Sequence, residues 1–258
     1  CIHETSYSPF AESVTVFERF LNEFPTSRYR ERVNDYLVEV YMNTRSYDAA
    51  LSSIDKIEKP GPRIMEAKQK ILFRLGTQAF ANAKMDEAIG YFNESLAIGQ
   101  YNATTKADAF YWRGEANYRI GNYGGAYNDF NQYLNIATDK SGQQYGLALY
   151  SLGYTQFKRK NYDDALGWFM KYVKRADESE KQMMADAYNR IGDCQFYVRG
   201  FDEARQSYAK ALQLEPGLGD YSLYQEGFVK GVQRDYMGKI QSLNDLITKF
   251  PQSQYIDD

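Results

Sequence analysis

The chain has 258 residues, 43% hydrophobic and 25% charged, with 31 Lys+Arg against 34 Asp+Glu. This is the balance of an ordinary folded protein, which excludes wholesale disorder, and a net charge of −3 leaves no basic footprint for a nucleic acid. Two cysteines exclude a disulfide framework, and the single histidine, His3, leaves little material for His-dependent catalysis or a zinc centre.

The aromatic content is high, with 24 Tyr, 15 Phe and two Trp. Tyr joins an apolar ring to a polar tip, so this composition points to many half-buried faces and not to one thick aliphatic core. The longest uncharged stretch, Ser141 to Phe157, is interrupted by Gly, Gln and Ser and is no membrane span. With neither an initiator Met nor a signal peptide, the chain reads as a processed product or a piece of a longer one.

Taken in chain order, the elements repeat. Ser8-Pro9 is the N-cap and first turn of a helix over 9–23, the second half of a hairpin whose first half is absent. Helical hairpins are then predicted at 27–58, 62–99, 104–137, 142–175, 179–214 and 219–250, and 253–258 opens another. Their anchors are Ala50, Ala88, Ala126, Ala165 and Ala204, each followed four residues later by Ile54, Phe92, Phe130, Phe169 and Tyr208. Twelve residues before the last four alanines stand Gly76, Gly114, Gly153 and Gly192. The first copy has Val38 in that place, and the sixth keeps the spacing from Gly227 to Lys239 and Leu243. The distance from each Ala to the next Gly varies from 23 to 27, so a rigid hairpin alternates with an elastic connection.

Within a hairpin the spacing is helical, as in Phe110, Gly114, Asn117 and Tyr118. Gly costs ~1 kcal/mol against Ala in a helix, so its recurrence implies close crossing of the two helices. Ser179-Glu180-Lys181-Gln182 reads as a capping box, and Pro216-Gly217 separates the fifth hairpin from the sixth.

Gly153…Ala165-x3-Phe169 and Gly192…Ala204-x3-Tyr208…Ala211…Pro216 resemble the tetratricopeptide repeat, although four of the five periods are 38 or 39 residues and not ~34. The resemblance implies an all-α, right-handed α-solenoid of stacked helix–turn–helix units, cut from a longer array. Phe24-Pro25-Thr-Ser27-Arg-Tyr29 and Phe250-Pro251-Gln-Ser253-Gln-Tyr255 are similar to elements of bacterial envelope repeat proteins, namely the Tol–Pal cell-division coordinator and the outer-membrane assembly lipoprotein. Tyr111-Trp-Arg-Gly-Glu-Ala-Asn-Tyr118 and Asp220-Tyr-Ser-Leu-Tyr-Gln-Glu-Gly-Phe228 are similar to long repeat proteins of Bacteroidetes-type bacteria. What this implies is a scaffold in the periplasm or at the periphery of the outer membrane.

In such an array the first helices line a concave face. Counting from the glycines puts Tyr111, Glu115, Tyr118, Tyr150, Tyr154, Asn189, Asp193, Tyr224 and Phe228 there, where rings would anchor a protein or peptide partner. Helically spaced aromatics also pack repeats together. Phe157 and Phe196 are assigned to the core on that ground, and Tyr150 and Tyr154 stay open between groove and core.

Cys194 reads as a small buried filler. Cys1 is compatible with the lipidated residue of a mature lipoprotein, but a helix starting by Ser8 leaves almost no tether, and the reading is against lipidation. Lys158-Arg159-Lys160 reads as a solvated turn, and Asp163-Asp164 as the acidic first turn of a helix. Arg28, Arg30 and Arg32 would favour an acidic partner.

No phosphate loop, metal motif or nucleophile–base set is present, so no catalytic residue, cofactor or metal is assigned. The expected function is a non-enzymatic interaction scaffold. The alternatives are a structural spacer, or an array self-associating through uncapped ends, and the recognition arm of a larger multidomain protein.

Overall fold

The computed structural model describes residues 9–44 and 46–257. Cys1, His3, the Ser8 cap and Asp258 lie outside the described residues. Among those described the regular structure is helical throughout: α1 (Pro9–Glu23), α2 (Arg30–Asn43), α3 (Tyr47–Ile54), α4 (Pro62–Ala81), α5 (Met85–Ala97), α6 (Ala103–Arg119), α7 (Tyr123–Ile136), α8 (Gln143–Lys158), α9 (Tyr162–Arg175), α10 (Lys181–Tyr197), α11 (Phe201–Leu214), α12 (Asp220–Val232) and α13 (Tyr236–Lys249). Two short 3-10 turns, Glu178–Glu180 and Pro216–Leu218, join hairpins. The chain divides into two compact units, Cys1–Thr138 and Asp139–Asp258, where the sequence alone suggests one uninterrupted array. Each unit is a stack of helical hairpins, the construction of an α-solenoid.

The repeated glycines have a steric cause. A Cβ on Gly76 would stand 2.6 Å from the Phe92 ring, and the same distance separates Gly153 from Phe169 and Gly192 from Tyr208. At Gly114 the clearance to Phe130 is 3.0 Å. The ring sixteen residues downstream thus lies flat on the bare backbone, and the second helix closes on the first. Phe92, Phe130, Phe169 and Tyr208 are at most 1% exposed as a result. Where Val38 replaces glycine, the opposing residue is Ile54, so side-chain volume moves from one helix to the other. In the sixth hairpin Leu243 is 3.3 Å from the same point on Gly227, an easier contact.

The hairpin tips share a second device that the sequence barely signals. Ala83, Gly121, Lys160, Arg199 and Arg234 all have positive φ, between 59° and 80°. The next residue in each case donates its N–H to a carbonyl five residues back, as Lys84 does to Ala79 and Gly200 to Gln195. This αL closure caps the orphan carbonyls of the first helix and reverses the chain. Only Gly121 advertised it. Lys158-Arg159-Lys160 lies on one such turn, with Lys160 at φ 62°.

Some local expectations change. The capping box at Ser179 does not form: Ser179 donates its N–H and hydroxyl to Asp177, and α10 begins after Glu180 with no side-chain cap. Of the arginines near α2, Arg28 and Arg32 are exposed and Arg30 is half-buried. Arg30 donates to the carbonyls of Leu21 and Lys59 and so ties α2 to the turns around it, while Arg28 and Arg32 donate to the Tyr29 and Tyr36 hydroxyls at the surface. Asp163 and Asp164 occupy the first turn of α9.

Candidate functional site

In the second unit the ends of α8, α10 and α12 and the middle of α11 surround an open cleft of about 450 Å³. Its walls are Phe157 from α8; Arg190, Asp193, Phe196 and Tyr197 from α10; Tyr208 from α11; and Tyr221, Tyr224, Gln225 and Phe228 from α12. Tyr197 and Phe228 form the rim, 56% and 46% exposed, and Asp193 and Tyr208 lie buried at the floor. Phe196 joins the two levels, its ring centroid 5.6 Å from Phe228 and 5.6 Å from Phe201. Tyr197 lies flat on Tyr162, with centroids 4.0 Å apart.

The floor is polar, and its charged groups face one another, although Arg190 Nε and Asp193 Oδ2 are buried without a hydrogen-bond partner. Arg190 Nη1 is 2.5 Å from Asp193 Oδ2, and its Nε is 3.8 Å from Asp186 Oδ1. The hydroxyls of Tyr208 and Tyr221 both donate to Asp193 Oδ1 at 2.8 Å. The guanidinium also lies 4.7 Å above the Tyr221 ring and 5.9 Å from that of Phe157. Burial lifts the Asp193 carboxyl above the usual range, and Arg190 and the two hydroxyls hold it back. Burial, and then the Asp193 charge, raise the Tyr208 and Tyr221 hydroxyls, so both keep their protons and act as donors. Two carboxylates face one guanidinium, which leaves no net positive charge to recruit an anion. The surface offered to a ligand is aromatic, with Gln225 as a polar contact.

The structure sorts the expected groove residues. Asp193, Tyr224 and Phe228 line the cleft. Tyr224 is stacked on Tyr255, 5.0 Å away. Asn189 is buried and accepts a hydrogen bond from Ser222 at 2.8 Å, a tie between α10 and α12 that leaves it little to offer a partner.

Tyr150 and Tyr154, left open in the sequence, pack between helices. Both donate to Asp186 Oδ2 on α10 at 2.5 Å and meet Phe169 edge-on.

Tyr111, Glu115 and Tyr118 belong to the first unit. Tyr111 is a core residue, 6% exposed and wedged among Trp112, Phe130 and Tyr133, because α6 turns that face toward α7. Glu115 is half-buried. Tyr118 is half-buried against Tyr123, and burial pushes its hydroxyl up to about 12. Phe157 departs from its core assignment, as a half-buried cleft wall, while Phe196 keeps part of it: it lines the cleft and packs against the core cluster of Ala204, Tyr208 and Val229.

Sequence reasoning missed Arg190, Tyr197, Tyr221 and Gln225. The available signal was positional: two residues before the repeat glycine stands Trp112 in one hairpin and Arg190 in another.

The site holds no reactive thiol. Cys194 is fully buried, and burial pushes its pKa up to about 12. Among the described residues no group of three His, Cys, Asp or Glu side chains could hold a metal, and no helix is long and apolar enough to cross a membrane.

Residues 185–218, which span α10 and α11, match the tetratricopeptide repeat family model. The structure is similar to YrrB, described as a TPR protein with an unusual peptide-binding site, with a TM-score of 0.60 and 17% identity over 72% of this chain and 88% of that one. This is the tetratricopeptide-repeat fold. It is similar also to residues 41-end of MamA from Desulfovibrio magneticus RS-1, with a TM-score of 0.61 and 18% identity over 72% of this chain and 97% of that one. The apo form of RapI aligns at a TM-score of 0.62 and 18% identity over 95% of this chain and 72% of that one. At these identities the likeness is one of fold. No curated protein sequence matches this chain significantly.

Proposed function

We propose that this protein is a non-enzymatic interaction scaffold whose second unit holds a partner peptide in the cleft between Phe157 and Phe228. The observation that carries the reading is the cleft itself. It has about 450 Å³ of open space, an exposed aromatic rim and a polar floor where Arg190 faces Asp193. That volume suits one or two side chains and is within the ~300–1,000 Å³ range of ligand pockets. The rings supply buried apolar area on contact, and Gln225 supplies a polar contact for a peptide backbone. The peptide-binding site in the description of YrrB supports the class of ligand. The similarity of Phe24-Pro25-Thr-Ser27-Arg-Tyr29 to envelope repeat proteins supports a place in the bacterial envelope, and an export signal in the encoding gene is the corresponding expectation.

The test is selection of a random peptide library on the intact protein, followed by titration calorimetry against Phe228→Ala and Tyr197→Ala. Both side chains are rim residues with few ring contacts, so melting temperatures fall only slightly, while affinity for the selected peptides falls about tenfold or more, or ~1.4 kcal/mol. Peptides that bind both variants as well as the parent would overturn the assignment of the cleft.

A further inference from the structure

The cleft has a neighbour in the same unit. A second opening, of about 520 Å³, lies between α10 and α12, and the connection from α11 supplies Glu215 to its wall. Arg190 and Tyr221 belong to the walls of both openings, so the two lie side by side across a shared partition.

The repeat explains why this space is open. Three residues before the repeat glycine stands Tyr150 in α8 and Asn189 in α10. Tyr150 spans the interval to the next first helix and donates to Asp186 there. Asn189 is too short to fill the equivalent interval, and Ser222 holds it at 2.8 Å. A space about the size of a large side chain is left between α10 and α12.

Its charge sets it apart from the aromatic cleft. Asp186 and Glu215 line it, and Arg190 is the one cation among the described residues of its wall. That cation is committed elsewhere, with Nη1 2.5 Å from Asp193 Oδ2. Asp186 receives the two tyrosine hydroxyls on Oδ2, and its Oδ1 is 3.8 Å from Arg190 Nε, beyond hydrogen-bond reach. Glu215 is half-buried and forms no ion pair among the described residues. The rings of Tyr221 and Tyr255 stand beside these acids, with centroids 5.7 Å apart. Carboxylates at the head and rings along the side suit a long basic side chain, whose charge meets the acids while its alkyl stem lies on the rings.

We propose that the segment bound in the cleft also places a lysine or arginine in this second pocket. The inference rests on the cleft reading and adds the charge and spacing of the partner sequence. On α10 the pocket takes residues 182–190 and the cleft residues 190–197, so their midpoints lie about eight residues, or roughly 12 Å, apart. An extended chain covers ~3.3 Å per residue. The basic residue therefore stands three or four positions from the aromatic or large aliphatic residue that enters the cleft.

The test is to sequence the peptides selected from a random library on the intact protein, and to titrate one of them by calorimetry. The selected pool is expected to carry Lys or Arg at that spacing. Glu215→Lys in the protein is expected to weaken such a peptide about tenfold or more, and the same peptide with Glu in place of its basic residue to regain affinity for that variant. Phe228→Ala is expected to weaken both pairings alike. If Glu215→Lys lowers the melting temperature, Glu215→Gln carries the same test, with weaker binding of the basic peptide as the expected result.

Peptides that depend on Phe228 but lack the basic residue at that spacing, or that bind the Glu215 variants as well as the parent, overturn this inference and leave the cleft standing. Peptides that sense Glu215→Lys but ignore Phe228→Ala overturn the cleft reading and the two-point spacing together.

Discussion

Trp112 in the first unit and Arg190 in the second stand at the same repeat position, two residues before Gly114 and Gly192. Each reaches back to the ring that ends the preceding first helix. Trp112 meets Phe80 edge-on at 5.1 Å, and the Arg190 guanidinium lies 5.9 Å from Phe157. The indole fills its space, and Phe80 is 8% exposed. The guanidinium is thinner and needs counter-charge, which Asp193 and Asp186 supply from the same helix. Space is left over, and that space is the cleft. One backbone geometry thus yields a sealed joint or an open cleft according to the side chains brought against the ring, Trp112 and Arg119 over Phe80 in one case and Arg190 beside Phe157 in the other.

The largest effect expected from breaking this comparison is at Arg190. Arg190→Ala leaves Asp193 buried without a cation and should cost about 3–5 kcal/mol. Trp112→Ala should cost about 3 kcal/mol through lost packing. Urea unfolding at low and neutral pH separates the two mechanisms. The folded Asp193 pKa lies above its unfolded value, so the folded state binds the proton more tightly, and stability is lost as pH rises through the folded pKa. Arg190 holds that pKa down, so its removal costs most when Asp193 is ionised: the Arg190→Ala penalty shrinks as pH falls and grows as pH rises, whereas the Trp112→Ala penalty is flat. A pH-independent Arg190→Ala penalty would show that the guanidinium matters for its packing alone.

Next in size are the glycine crossings. Gly192→Ala forces the Tyr208 ring to move and should cost about 1–3 kcal/mol, although Ala is the better helix former by ~1 kcal/mol. Gly114→Ala, with 3.0 Å to Phe130, should cost less, and Gly227→Ala, with 3.3 Å to Leu243, should be neutral or stabilising. Thermal melts of the three variants check the order; equal costs would refute the close-crossing account.

Smaller again is the loss of a hydroxyl from Asp186. Tyr150→Phe and Tyr154→Phe should each cost about 1–2 kcal/mol, with no effect on peptide binding at the cleft. The smallest effect is at Cys194, where the hairpin 104–137 has Ala116. Cys194→Ala should change stability by about 1 kcal/mol or less. In the native protein thiol reagents should label Cys194 only as fast as the chain unfolds, read by mass mapping.

The repeat itself was legible because it is written in short-range spacing. Glycine twelve residues before alanine and a ring four residues after it fix which faces of two consecutive helices meet, and both lie within one hairpin. The helix start at Pro9 and the break at Pro216 were readable for the same local reason. The hairpin tips were not, since four of the five αL positions are held by Ala, Lys or Arg, residues that carry no turn signal. The site was half legible. Counting from glycine found Asp193, Tyr224 and Phe228, but it could not separate Tyr111, turned into the core, from a groove residue at the equivalent place.

What the sequence determined by itself is therefore the unit: two helices, their crossing point and the side chains buried between them, all set by contacts within about forty residues. What only the tertiary structure decided is how consecutive hairpins meet. Arg190 finds Asp193 on its own helix but Phe157 and Tyr221 on the helices either side, and Tyr150 and Tyr154 find Asp186 across the gap to α10. Those pairings depend on the elastic connections between repeats, whose lengths vary and whose turns carry weak signals. Whether a given ring closes a joint or lines a cleft is settled there, by the volume and charge of whatever the neighbouring hairpin brings against it.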